Sequence, residues 1–339
     1  MTPQILRSFL FVPGDSERKQ IKALDTPADA LILDLEDSVA AEQVPAARVR
    51  VRELLLSRTD RSRQQLWVRL NSLASGHLLD DLVAVFAGSA DGVVLPKVSS
   101  VAELARIHDY LTVLEKREGR PTGATQILAI VTETPAALLN LPRYPEQLAE
   151  LDVREMPQAR EAGAPAPRAP VATLRERLFG LTWGQEDLSA ALGAAAKLDA
   201  NGQPTLAFQL ARTLCLTCAA ASGVQAIDGI EANFRDAAGL QRAVAAARRD
   251  GFTGKLAIHP DQVDAINEAF SPTGAELAHA RRIVAAFAAS PGAGVLSYDG
   301  EMIDRPHLIQ ARRVLALAER AGPGQAAGPV QPARPPAKG

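Results

Sequence analysis

Eight short apolar runs, each followed by a longer stretch rich in Ala, Leu, Arg and Glu, recur along the chain at fairly even intervals. They are SFLFVPG at 8–14, ALILDLED at 30–37, LWVRLN at 66–71 and GVVLPKV at 92–98. ILAIVTE at 127–133, LFGLTWGQED at 178–187, VQAIDGI at 224–230 and KLAIHP at 255–260 follow. Near-continuous Val/Ile/Leu runs of this length mark strands buried on both faces, and the stretches between them have helical character. Eight such units close a TIM (β/α)8 barrel. The competing arrangement is an open doubly wound sheet, which a glycine-rich dinucleotide loop after the first strand would favour. Here that position holds Val12-Pro13-Gly14-Asp15-Ser16, which is no such loop.

Two segments break the rhythm. Residues 144–173 contain REMPQAREAGAPAPRAPVAT, a Pro/Ala/Arg-rich insertion expected at the bottom of the barrel, between a helix and the next strand. The stretch from residue 321 onward is rich in Pro and Gly and has the composition of a disordered tail. Beyond the eighth run, 260–320 supplies more helix than a barrel needs. Helices are expected at 261–269 and 274–289 and again from about residue 305, after SYDGEMID. The expected division is a barrel domain over 1–270, a helical lid over 271–320 and a tail over 321–339.

Composition narrows the function classes. Lys plus Arg number 37 against 39 for Asp plus Glu, so the balance gives no reason to expect a nucleic-acid or membrane partner. The longest apolar stretches fall short of a membrane span, and the N-terminal run is too short for a signal peptide. A cytoplasmic location is the default expectation. Cys215 and Cys218 form a CxxC, but no second ligand pair accompanies them and their surroundings are Ala- and Leu-rich. They are expected to be two helix thiols without chemistry.

Catalytic groups of a barrel sit where its strands finish. The second run ends in Asp34-Leu35-Glu36-Asp37, the third in Arg69-Leu70-Asn71 and the fourth in Pro96-Lys97. The fifth ends at Glu133, the sixth at Gln185-Glu186-Asp187, the seventh at Asp228 and the eighth at His259. A rim of carboxylates is costly unless a cation neutralises it, and hard oxygen ligands select Mg²⁺, or Mn²⁺ in its place. Each residue also has a plainer reading. Glu36, Asp37, Asp187 and Glu133 stand where helix starts favour acids, and Arg69 has Asp34 or Glu36 to pair with across the strands. Lys97 and His259 read as structural or peripheral, and Asp228 as a buried hydrogen-bonding group.

At these residues the sequence resembles the citrate lyase β-subunit-like (HpcH/HpaI aldolase/citrate lyase) family, close to malyl-CoA and citramalyl-CoA lyases. The marks are RSFLFVPG, DALILDLEDSV, VRLNS, VVLPKV, ETPAALLNL, GLTWGQEDLSAALG, GKLAIHP and YDGEMIDRPHLIQA, in order over about 7–320. The resemblance implies a Mg²⁺-dependent carbon–carbon lyase acting on a small β-hydroxyacyl-coenzyme A thioester, assembled as a homotrimer or hexamer. Glu133 and Asp187 match the family's metal ligands. Arg69 matches its substrate-binding arginine, and Glu36 and Asp37 the acidic pair near the metal. Asp304 matches an aspartate that a lid segment delivers to the neighbouring subunit. Arg7, Arg18 and Lys19 are the cations at hand for coenzyme A phosphates. The sequence departs from the family at Val44-Pro45, where a Lys is customary, while Arg48 is retained. Other readings are a metal-dependent aldolase on free 4-hydroxy-2-oxo acids, an acyl-CoA thioesterase, a non-catalytic acyl-CoA-binding paralogue, and the β-subunit of a carrier-linked citrate lyase complex.

Overall fold

The structure is a computed structural model that describes residues 5–155, 171–200, 202–298 and 300–321. Eight parallel strands follow in sequence order around a closed barrel: β1 Ser8–Pro13, β2 Ala30–Asp34, β3 Gln65–Arg69, β4 Gly92–Leu95, β5 Gln126–Ile130, β6 Leu178–Thr182, β7 Gln225–Asp228 and β8 Gly254–Ala257. Every residue of β2, β4 and β8 is buried, as a strand walled by side chains within and helices without requires. The closed circuit, with β1 pairing both β2 and β8, rules out the open sheet.

The barrel interior is organised by three rings. Phe9, Trp67 and Phe179 meet edge to face with centroids 5.8, 6.0 and 5.1 Å apart. Such contacts add roughly 0.5–1.5 kcal/mol per pair beyond area burial. Trp67 lies against Gly92 in the β3–β4 register, and a Cβ on Gly92 would fall 2.3 Å from the indole ring. That strand start therefore has to be glycine.

At the opposite end of the strands from their C-termini, Arg177 just before β6 is fully buried with Glu115 of the helix Val101–Arg117. Two parallel hydrogen bonds of 2.8 Å join them, and Arg177 Nε donates to His108 Nδ1 at 3.0 Å. Glu115 also accepts from the Gly123 and Thr125 N–H groups at 2.8 Å. Burial would raise the Glu115 carboxyl, but Arg177 and these amides hold it below the usual range.

The expected insertion opens on regular structure. Tyr144–Glu155 is a helix, with Tyr144 and Leu148, one turn apart, both buried. This apolar pair gives the stretch a core face despite its Pro and Glu content. Thr173 then caps a short helix Leu174–Arg177 through a reciprocal pair of hydrogen bonds with Glu176. The Pro-rich stretch 156–170 and the expected tail 322–339 lie outside the described residues. Cys215 and Cys218 are buried in the helix Leu206–Ser222, and burial pushes both thiols up. No helix among the described residues is long and apolar enough to cross a membrane.

Among the described residues the chain divides into two compact units, the barrel over Leu6–Ile266 and a second that begins at Asn267. In the second, the helices Gly274–Ala289 and Arg305–Ala321 pack around Ile283, Phe287, Ile303 and Ala311. Thr273 and Glu276 form a capping box at the first of them. An antiparallel hairpin of β9 Val295–Tyr298 and β10 Glu301–Asp304 stands between these helices in sequence.

Candidate active site

Asp34 closes β2 and Arg69 closes β3, and the two are partners in register. Arg69 Nε donates to Asp34 Oδ1 at 2.6 Å and Nη2 to Oδ2 at 2.7 Å. The same carboxylate accepts from the N–H groups of Glu36 at 3.0 Å and Ser38 at 3.1 Å, which folds the DLEDS loop over the strand end. Burial alone would raise Asp34, but the hydrogen bonds and charge of Arg69 hold it below the ordinary range. Burial works against the Arg69 cation as well, and the hydrogen-bonded Asp34, then Glu36 and Asp37, more than offset it. The guanidinium lies 4.9 Å above the Phe11 ring.

The remaining Nη1 of Arg69 faces Glu36 Oε2 at 3.1 Å and Asp37 Oδ2 at 3.3 Å. The Glu36 contact is an ion pair without hydrogen-bond alignment, so Oε2 is buried with no hydrogen-bond partner. Burial pushes the Glu36 carboxyl up, against the pull of Arg69 and Lys97. Asn71 of the same R-L-N run donates to the Leu35 carbonyl at 2.9 Å and to buried Asp81 at 2.9 Å. Asp81 in turn holds Arg48 Nε at 2.7 Å, which commits Arg48 to this support.

Glu133 follows β5, and Thr134 rather than Glu133 caps the helix Pro135–Asn140. The Glu133 carboxyl is thereby free to turn inward, where it is buried. Asp187 belongs to the first turn of the helix Gln185–Leu192 after β6. Its carboxyl comes within hydrogen-bonding reach of Glu133, whose own carboxyl is raised to about 8 by burial and then by the charge of Asp187. Gly184 makes the approach possible, since a Cβ there would stand 2.7 Å from Glu133 Cγ and 2.8 Å from Oε1. Two apposed carboxylates favour keeping one of them protonated unless a cation offsets their charge.

Lys97 supplies the nearest one. Its N–H donates to Glu133 Oε2 at 2.5 Å and its Nζ to Glu36 Oε1 at 2.6 Å. Asp187 Oδ2 is 3.4 Å and Asp37 Oδ1 3.6 Å from the same ammonium. The sequence reads Lys97 as structural or peripheral, yet it touches four acids of the rim, Glu36, Asp37, Glu133 and Asp187. Its place right after a strand end was the available signal.

Asp228 is buried beneath this rim and accepts from Trp183 Nε1 at 2.8 Å, Arg212 Nε at 2.9 Å and Lys255 Nζ at 2.9 Å. His259 stacks on Phe234 at 4.4 Å and caps Pro260–Gln262. Arg18 and Lys19 are exposed on the helix Glu17–Leu24 that follows β1. Arg7 is a correction. It precedes β1, at the end of the strand away from the site, where Nε and Nη2 grip Asp29 at 2.9 and 2.7 Å. A residue at the start of a barrel strand faces the bottom, so Arg7 is not among the rim cations. Asp304 ends β10 in the second unit, half exposed, with His307 Nδ1 2.6 Å from its Oδ1. This hydrogen bond holds the Asp304 carboxyl below its ordinary range.

The family model described as HpcH/HpaI aldolase/citrate lyase matches residues 7–260. The chain belongs to this aldolase/citrate lyase family. A second model, described as a C–C bond lyase of the TIM-barrel fold, matches residues 205–322, and the chain is accordingly a carbon–carbon lyase by family. The citrate lyase subunit beta of Escherichia coli (strain K12) is 35% identical, over 93% of this chain and 94% of its own. A (3S)-malyl-CoA thioesterase of Cereibacter sphaeroides is 34% identical over 92% and 94%. Among solved structures, the protein CitE of Mycobacterium tuberculosis, in complex with magnesium, acetoacetate and coenzyme A, superposes with a TM-score of 0.66. It is 29% identical, with 93% of this chain and 98% of that one covered.

Whether an aldolase/citrate lyase family barrel of this sequence fits a divalent cation is decided by its donor set. Among the described residues no group of three or more His, Cys, Asp and Glu side chains has metal-binding geometry. Two carboxylates do converge, however, and Mg²⁺ characteristically takes one or two carboxylates while filling its other positions with water and ligand oxygens. Glu133 and Asp187 fit that pattern, with room kept by Gly184.

Proposed function

We propose that this protein cleaves, or in reverse forms, the carbon–carbon bond of a small β-hydroxyacyl-coenzyme A thioester, with malyl-, citramalyl- and citryl-CoA as the candidates. The products of cleavage are an acyl-CoA and a 2-oxo acid. Glu133 and Asp187 would hold Mg²⁺, or Mn²⁺ in its place. The observation that carries this reading is the apposition of those two carboxylates, from the ends of β5 and β6, on the rim that also presents Arg69.

A divalent ion held there would supply Lewis-acid chemistry to the acid portion of the substrate. The chain's own groups do the rest. As the carbon–carbon bond breaks, the hydroxyl proton passes to water, its carbon becomes a carbonyl, and the electron pair passes to the thioester fragment as an enolate that then takes up a proton at its α-carbon. Arg69 is pre-oriented by Asp34 and stabilises that developing charge without reorganising. Glu36 and Asp37 order water next to the ion. Asp304 exchanges the proton at the acyl α-carbon, delivered by the β9–β10 hairpin of a neighbouring subunit, with 271–320 serving as a lid. That role requires a homo-oligomer, a trimer or hexamer. Arg18 and Lys19, exposed just after β1, meet the phosphates of coenzyme A. We place the enzyme in the cytoplasm.

The test is product analysis with malyl-, citramalyl- and citryl-CoA, with and without Mg²⁺. A lyase releases a 2-oxo acid and leaves the thioester intact; a hydrolase releases free thiol. The thioesterase among the relatives makes the second outcome a specific alternative. Mg²⁺-dependent cleavage confined to free 4-hydroxy-2-oxo acids, or no cleavage at all, overturns the thioester lyase reading.

A further inference from the structure

Lys97 has a left-handed backbone, φ 55°, in a residue that carries a side chain. Such a conformation costs on the order of 1–3 kcal/mol and persists where surrounding contacts over-determine it. Here two sets of contacts do so. The backbone N–H is aimed at Glu133, and the side chain runs back across the rim to Glu36, Asp37 and Asp187. One residue thus bridges acids carried beyond the ends of β2, β5 and β6.

The two cations of the rim differ in freedom. Arg69 is clamped by the Asp34 fork and is almost wholly buried. Lys97 is partly exposed on a flexible stem, and only its Glu36 contact has hydrogen-bond length. Its ammonium stands 3.4 Å from Asp187, one of the two carboxylates a divalent ion would engage. A monovalent charge so close to that pair repels an arriving cation and replaces it when none is there.

We infer that the Lys97 ammonium is a built-in counter-ion for the Glu133–Asp187 pair. It neutralises the pair in the metal-free protein and retreats onto Glu36 and Asp37 when a divalent ion binds. Its strained backbone meanwhile keeps Glu133 aimed in both states. The inference rests on the reading of Glu133 and Asp187 as cation ligands.

The test titrates the full-length protein with Mn²⁺ and Mg²⁺, by calorimetry and by Mn²⁺ paramagnetic resonance, and records thermal midpoints with and without metal. Lys97→Met is expected to bind Mn²⁺ about tenfold or more tighter than wild type at low salt, with the gain shrinking as salt rises. Its metal-free form melts lower, and its rise in Tm on adding metal is larger. Lys97→Arg keeps wild-type affinity. Lys97→Gly matches the tighter binding of Lys97→Met while relieving the backbone, so a poorly folding Lys97→Met leaves the test intact. Wild-type or weaker Mn²⁺ binding in both uncharged variants overturns the inference alone, provided wild-type binding is lost in Glu133→Ala. Mn²⁺ binding that is absent from the wild type, or unaffected by Glu133→Ala, overturns the metal-site reading and this inference with it.

Discussion

Arg69 and Asp34 sit side by side in register on β3 and β2 and are locked by two parallel hydrogen bonds of 2.6 and 2.7 Å. Such a fork fixes the plane of the guanidinium as well as its position. Asp34→Ala takes both aligned hydrogen bonds from a buried cation and leaves it only its Glu36 and Asp37 contacts, and a stability loss of about 3 kcal/mol is expected from denaturant unfolding. Turnover should fall on the order of 10²-fold, with kcat affected more than KM, because the arginine is no longer held for the developing charge. Unchanged kcat in a folded Asp34→Ala protein would remove Arg69 from the chemistry.

Gly184 tests the metal-site geometry without touching a charged group. Its φ of −115° suits alanine, so Gly184→Ala acts only through the Cβ that would press on Glu133 from 2.7 Å. Overpacking of this kind costs roughly 1–3 kcal/mol. Displacing the carboxylate should weaken Mg²⁺ or Mn²⁺ binding by about 10–100-fold, as loss of supporting contacts does at other metal sites. Calorimetric titration of a protein with wild-type circular dichroism reads this directly.

Asp228 carries a pH dependence. Burial would raise its carboxyl, but Lys255, Arg212 and the Trp183 hydrogen bond hold it below the ordinary 3.8. A depressed folded-state value means that the unfolded chain takes up the proton first. The stability contributed is therefore complete above about pH 4 and is lost as the pH falls through the folded value. Wild-type Tm should drop steeply below pH 4, whereas Asp228→Asn starts lower at neutral pH and declines less. Parallel Tm profiles of the two proteins between pH 3 and 7 would refute this linkage.

Glu115 and Arg177 provide the contrast, a fully buried pair at the far end of the barrel. Glu115→Leu leaves Arg177 buried without its carboxylate, and about 3–5 kcal/mol of stability should be lost. Activity per folded molecule is expected to remain at the wild-type level. A kinetic defect in the folded fraction would mean that this end communicates with the site.

The barrel was legible because fully buried parallel strands leave runs that no surface constraint interrupts, and the eight runs became β1 to β8. The grouping of Glu36, Asp37, Arg69, Glu133 and Asp187 at one end followed from strand polarity alone. Lys97 stood at a strand end by the same rule, but its bridging of these acids did not follow, because a left-handed φ and a side chain folded back across three strand ends have no signature in a Pro-Lys pair. Arg7 was misplaced although the polarity rule would have sent it to the bottom. The β9–β10 hairpin was overlooked despite the Asp299-Gly300 dipeptide between its strands, a recognised turn signal that the adjoining helix pattern obscured.

The chain holds two tryptophans, and their settings differ. Trp67 is sealed among Phe9, Phe179 and Gly92 inside the barrel, whereas Trp183 is tied to Asp228 and directly precedes the glycine that faces Glu133. Intrinsic fluorescence is consequently a two-channel signal without any label: one indole reports whether the barrel is closed, the other whether something has arrived at its rim. Replacing either tryptophan by phenylalanine separates the channels.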